Sequence, residues 1–231
     1  MTVKTVVIHQ PDFLPYLGFF DKFLKSNIWI IFDNVQFLNN SKSWHNRDKI
    51  KTLRGEKWIT VSVKKCPQKT PINEVLLADT AWKIDSLNLL KENYRKAAYF
   101  DEIFPFLEEL YAFKCDTMLQ FNLKSIYMLM QLFSIKIEIE FASNLKPVGK
   151  SNALLLDLLK KVDADKYLSG AGAKVYFDPA PFAEAGIDVE WQNFKHPTYT
   201  QLYGDFIPYL SSIDLLFNCG IEKSREILRS C

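Results

Sequence analysis

An apolar, β-branched run, Val3 to Ile8, ends abruptly at His9-Gln10-Pro11. Pro11 removes a backbone donor and keeps Gln10 out of a helix, so the chain turns where His9 emerges. An imidazole at such a turn is a candidate for proton transfer near neutral pH. It fits equally a histidine that caps a strand and bonds its neighbours. A second apolar run, Ile28 to Phe32, ends at Asp33-Asn34. Between the two lies a helix-like stretch, Leu17 to Lys25. One crossover unit thus delivers polar side chains at the end of a sheet where open α/β folds bind ligands.

Three further clusters carry chemistry-bearing side chains. Trp44 to Lys51 contains Asn46, Arg47 and Lys49, the makings of an anion-binding loop, because guanidinium forks and ammonium charges hold phosphate oxygens. A solvated basic turn has the same composition and is the commoner outcome. Ser169-Gly170-Ala171-Gly172 follows a strand and lets a ligand approach backbone amides, but matches neither the Walker pattern nor the dinucleotide fingerprint. Lys195 to Gln201 holds a second His-Pro pair, His196-Pro197, with Tyr199 and Gln201 beyond it; Asp214 further on reads as a helix cap. The histidines His9, His45 and His196 are not spaced as a zinc motif, so no metal is expected. Cys66, Cys115, Cys219 and Cys231 form no CxxC pair and read as reduced thiols.

The elements that must position these groups alternate. Trp58 to Val63 and Ile72 to Leu77 read as strands, antiparallel to each other. Helical periodicity takes over through a segment of about 81–134, including an apolar helix from Asp116 to Leu132. Ile135 to Phe141 alternates as a strand, Asn152 to Val162 as a helix, and Ile187 to Phe194 as the last strand. Tyr209 to Phe217 and Ile221 to Leu228 close the chain as two helices. The expectation is an α/β fold: a Rossmann-like mixed sheet flanked by helices, with a mainly helical central segment, in one domain over 1–231.

Bulk composition is ordinary for a globular chain of 231 residues: 48% hydrophobic, 24% charged, with a 14% aromatic share that favours an aromatic-lined cleft. A net charge of +2 gives no electrostatic footprint for nucleic acid. No apolar stretch reaches the length of a membrane span and no signal peptide is evident, so a soluble, cytoplasmic protein is expected, with oligomeric state open.

Taken together, these stretches resemble the WbqC-like family. The matching residues are His9-Gln10-Pro11, Leu14 to Lys22, Phe32 to Phe37, Asn46-Arg47 with Ile50-Lys51, and Trp58 to Val61. Further matches are Tyr167 to Gly170, Tyr176, Gly186-Ile187, Tyr199 with Gln201, and Leu210-Ser211 to Gly220. Ser62 departs from the proline that relatives often carry. The resemblance implies a place in O-antigen or other surface-polysaccharide assembly. It implies an N-acyl- or aminoacyltransferase, glycyl transfer included, acting on the amine of a nucleotide-linked deoxyamino sugar. In that reading His9 takes the amine proton and Asp33 orients His9 or the amine. Asn46, Arg47 and Lys49 hold a diphosphate or developing oxyanion, while Gln10, Asn34, Ser169, Tyr199 and Gln201 bind the sugar. No tightly bound cofactor is needed; an acyl-CoA or aminoacyl-tRNA donor serves as co-substrate. Two rivals remain. One is a HIGH-type nucleotidyl or adenylyl transferase or ligase, although the motif position reads Tyr16-Leu17-Gly18-Phe19 and lacks both histidines. The other is a non-catalytic nucleotide-sugar-binding protein.

Overall fold

The computed structural model describes residues 3–38 and 43–231. Strand β1 (Thr5–His9) leads through helix α1 (Leu17–Leu24) to β2 (Ile28–Ile31). The two strands pair in parallel, His9 beside Ile31. Their side chains divide by alternation. Val7, Trp29 and Ile31 enter one hydrophobic cluster with Phe19, Phe20 and Phe23 of α1. Val6, Ile8, Ile28 and Ile30 enter a second on the opposite face. A strand buried on both faces needs apolar residues at every position, which is why β2 reads Ile-Trp-Ile-Ile.

The remaining strands are β3 (Arg47–Thr52), β4 (Gly55–Thr60), β5 (Glu138–Phe141), β6 (Lys166–Ser169) and β7 (Asp188–Trp191). Five of the seven form one sheet in the order β5-β2-β1-β6-β7, every pairing parallel. The expected mixed sheet is therefore corrected to a parallel one; the antiparallel pairing is confined to a separate hairpin, β3-β4. Helices α2 (Ala81–Tyr94), α3 (Phe100–Ala112) and α4 (Met118–Leu132) make up the central helical segment and share the first cluster with α1. The short α5 (Ala142–Leu145) follows β5 directly. Helices α6 (Asn152–Lys161) and α7 (Ala180–Glu184) cover the other face through Leu158, Leu159 and Phe182. The last helical stretch, α8 (Ile213–Arg229), is two helices that meet at a break at Gly220, whose φ is 72°; the two expected are both present, the first starting at Ile213 rather than Tyr209. Among the described residues no helix is long and apolar enough to cross a membrane.

Two local expectations are corrected. The run Trp44 to Lys51 is not a loop: from Arg47 it is strand β3, satisfied by pairing with Gly55–Thr60. Ile72 to Leu77 is not a strand. Its first residues form a 3-10 turn, Ile72–Glu74, and only isolated bridges, Val63 to Leu77 and Leu76 to Thr117, follow.

The sheet order has a consequence for ligand binding. From β1 the chain builds outward through β2 and β5, then returns to the other side of β1 to place β6 and β7. The order reverses between β1 and β6, and the crevice outside the carboxyl ends of such strands is where open α/β sheets bind ligands. His9 ends β1 at that point.

Candidate functional site

Beyond His9 the chain is pinned from two directions. Asn122 of α4 donates its side-chain amide to the carbonyls of Pro11, at 2.7 Å, and His45, at 2.5 Å. Ser211, just before α8, donates its hydroxyl to the Leu14 carbonyl at 2.6 Å. These bonds hold Leu14 at a φ of 41°, outside the range a leucine prefers. They frame a cavity of about 330 Å³ at the carboxyl end of β1. His9, Asp12, Pro15 and Tyr16 come from the turn, Trp44 and Asp48 from the hairpin, and Tyr209 from the segment before α8. Tyr16 lies over Gly18, where a Cβ would collide with its ring, so a larger residue there would push the Tyr16 ring out of its place.

His9 Nδ1 lies 2.9 Å from the Gln10 carbonyl oxygen, which can only accept. Nδ1 therefore carries the proton in the neutral ring, and Nε2 keeps its lone pair. Among the described residues nothing bonds Nε2. Burial holds the His9 pKa well below its ordinary value; the Lys22 ammonium adds to this and the Gln10 carbonyl opposes it. The imidazole is thus neutral at physiological pH.

Its neighbours are displaced too. Asp12 Oδ2 sits 3.8 Å from Nδ1, and burial pushes its carboxyl up to about 7, against the pull of Lys22. Burial also pushes Asp48 well above the carboxylate range, with Asp12 repelling it, while the Lys49 amide donates to Asp48 Oδ1 at 2.6 Å and pulls the other way. Lys22, buried on α1, is lowered to about 8 by burial, with Asp12 and Asp21 opposing. Tyr16 rises to about 12, chiefly by burial and then by Asp12. A neutral base beside two carboxyls displaced upward is the pattern that proton-transfer sites use.

The structure separates the other expected residues from this cavity. Asp33 is 2% exposed and faces away from His9. Its carboxylate accepts from the Ser143 amide at 3.0 Å, the Ser143 hydroxyl at 2.6 Å and the Asn73 amide at 3.3 Å. It ties α5 to the turn at Ile72–Glu74, and the carboxyl beside His9 is Asp12. Asn46 is a brace within the hairpin, donating to the Val61 carbonyl at 3.1 Å. Arg47 and Lys49 lie on the opposite face of β3 from Asp48, over the Trp58 ring at 4.2 and 5.2 Å. Tyr199 and Gln201 do not reach out to a sugar. They donate to Asp214 Oδ2 at 3.0 and 2.7 Å, and Tyr94 donates to Oδ1 at 2.8 Å. Lys51 closes that buried network on Gln201 Oε1 at 3.0 Å. Ser169 is buried at the end of β6. Gln10 contributes its carbonyl, and Asn34 holds a buried amide oxygen with no partner among the described residues.

Residue types and spacing assign no role in the site to Asp12, Lys22, Asp48, Trp44, Tyr16 or Tyr209. One signal was present. Helix α1 is Leu-Gly-Phe-Phe-Asp-Lys-Phe-Leu, and charged residues inside so apolar a helix are buried for a reason. Asp21 answers it by pairing with Lys25 at 2.5 Å and Gln192 at 2.7 Å; Lys22 answers it by lying near Asp12 and His9. Among the described residues no cluster of three or more His, Cys, Asp or Glu is arranged to hold a metal ion.

Residues 10–226 match the WbqC-like protein family. The chain is 32% identical over 232 residues to "Uncharacterized protein Rv1507c" of Mycobacterium tuberculosis, and the match covers 99% of each protein. No solved structure matches it. The family match reaches from the residue after His9 through the cavity turn, the hairpin and most of α8; the chain belongs to the WbqC-like protein family.

Proposed function

We propose that the protein is an N-acyl- or aminoacyltransferase that acylates the amine of a nucleotide-linked amino sugar for a surface glycan. The observation that carries this reading is the Nε2 of a neutral His9, without a partner among the described residues, in a cavity shared with Asp12 and Asp48. Two carboxyls with no Lys or Arg side chain bonded to them among the described residues suit the ammonium of the acceptor. Asp12, which titrates near 7, accepts the first proton and frees the amine. The nitrogen attacks the carbonyl carbon of the donor and His9 Nε2 takes the second proton as the C–N bond forms. The bond from that carbon to the leaving sulfur or oxygen then breaks. The imidazolium returns its proton to the departing thiol or ribose hydroxyl. The donor is an acyl-CoA or an aminoacyl-tRNA, and the protein works in the cytoplasm, where both are made.

The test is the mass of the product. The protein is incubated with nucleotide-linked amino sugars and with thioester or aminoacyl-tRNA donors. A sugar heavier by one acyl or aminoacyl group supports the reading. Unchanged sugar with every donor refutes it. A second reading, nucleotidyl transfer, draws on the strand order, which suits nucleotide binding in general. Pyrophosphate release from ATP in the presence of the sugar, with no acyl donor, would favour it.

A further inference from the structure

The hairpin that supplies Asp48 to the cavity carries a different surface on its other side. Alternation along β3 sends Asp48 inward and Arg47 and Lys49 outward. Trp58 lies directly opposite Lys49 in the register and so shares the outward face. The indole of Trp44 meets that of Trp58 at 5.2 Å between centroids. Both remain 41% and 37% exposed, a poor place for two indoles in a protein that buries most of its aromatic residues. Trp44 also lines the cavity, so the aromatic surface continues from the site of His9 over the rim, where the half-exposed Tyr209 stands as well.

We propose that Trp44 and Trp58, with Arg47 and Lys49 against them, form a nucleoside-phosphate subsite in which the base stacks on indole and the phosphates meet the two cations. The inference rests on the nucleotide-linked substrate proposed above and assigns the surface that recognises it. A neutral sugar also stacks on tryptophan but makes no charge-assisted contact with a guanidinium or ammonium beside it. A base joined to phosphates uses both. The guanidinium of Arg47 lies over the Trp58 ring and donates Nε–H to the Ser43 carbonyl at 3.2 Å, so its plane is held in advance. Lys49 is held 2.6 Å from Glu56, which a phosphate would displace as its partner.

Calorimetric titration of the full chain tests this. The probes are uridine 5′-diphosphate, adenosine 5′-diphosphate, pyrophosphate and a neutral hexose, with the Trp58→Ala and Glu56→Gln variants beside the parent. Trp58 is partly exposed on a hairpin, and circular dichroism is used to check that the variant folds. Both nucleoside diphosphates should bind more tightly than pyrophosphate. Trp58→Ala should weaken them by about 5- to 150-fold, the worth of one stacked base, and weaken pyrophosphate, which loses only the ring beneath Arg47 and Lys49, by clearly less. Glu56→Gln should tighten every phosphate-bearing probe by releasing Lys49. Equal binding of nucleoside diphosphates and pyrophosphate, loss of hexose binding in Trp58→Ala, or no nucleotide binding would each overturn the subsite. Binding is read without turnover, so it can stand where acyl transfer fails, and the reverse.

Discussion

Replacing Asp33 with alanine separates a structural carboxylate from a catalytic one. The parent carboxylate accepts three hydrogen bonds in a site closed to water, at 2.6, 3.0 and 3.3 Å. Hydrogen bonds to charged groups are each worth about 1.5–3 kcal/mol, and they do not add fully when they share one acceptor group. The variant leaves the Ser143 amide without its acceptor and opens the contact between α5 and the Ile72–Glu74 turn. A loss of about 3–5 kcal/mol follows. Asp33→Asn keeps an oxygen for the Ser143 amide and sets an NH2 against the Asn73 amide, so about 1–2 kcal/mol is lost. Urea unfolding at neutral pH measures both, and an unchanged m-value shows that the same surface unfolds. Turnover per folded molecule should stay near that of the parent. A stability loss below about 1 kcal/mol together with a large fall in turnover would mean that Asp33 belongs to the chemistry and not to the scaffold.

Asp12→Asn should lower turnover and raise stability, more so as pH rises. The folded pKa of Asp12, about 7, lies above that of an unfolded aspartate, so between about pH 4 and 7 the native state binds the extra proton and the parent loses stability as pH increases. The asparagine variant escapes this, and its advantage should grow to on the order of 1–4 kcal/mol by pH 7.5, measured by urea unfolding at pH 4.5 and 7.5. A constant difference across that range would count against the displaced carboxyl. Asp214→Ala should cost about 3–5 kcal/mol by leaving the hydroxyls of Tyr94 and Tyr199 and the Gln201 amide without their shared acceptor. Tyr94→Phe, which removes one donor to Asp214 and the acceptor of the Lys51 amide, should cost about 1–3 kcal/mol, and equal effects from the two would argue against a common hub.

The crossover was legible because both faces of β1 and β2 are buried, which forces an unbroken apolar run that no solvated element would carry. The end of β1 could be read for the same reason: Pro11 stops the strand and exposes His9 to whatever lies beyond. The hairpin was not legible. Arg-Asp-Lys-Ile-Lys looks like a solvated turn until Lys51, 1% exposed, finds Gln201 and the Asp205 carbonyl from the far end of the chain. Asp48 reaches the cavity through that same pairing, so its meeting with Asp12 depends on contacts that sequence spacing does not encode. Asp33 shows the opposite failure. Its position at the end of β2 was read correctly, but which way its carboxylate turns was decided by Ser143, a residue 110 positions away.

The proposed transfer of the amine proton to His9 is read from the turnover of His9→Asn. The asparagine amide can replace Nδ1–H as the donor to the Gln10 carbonyl, keeping the turn, while Nε2 is lost. With the product followed by mass, kcat should fall by about 100- to 10,000-fold, with KM for the sugar and the melting temperature unchanged. Turnover equal to that of the parent in a correctly folded His9→Asn protein would contradict it.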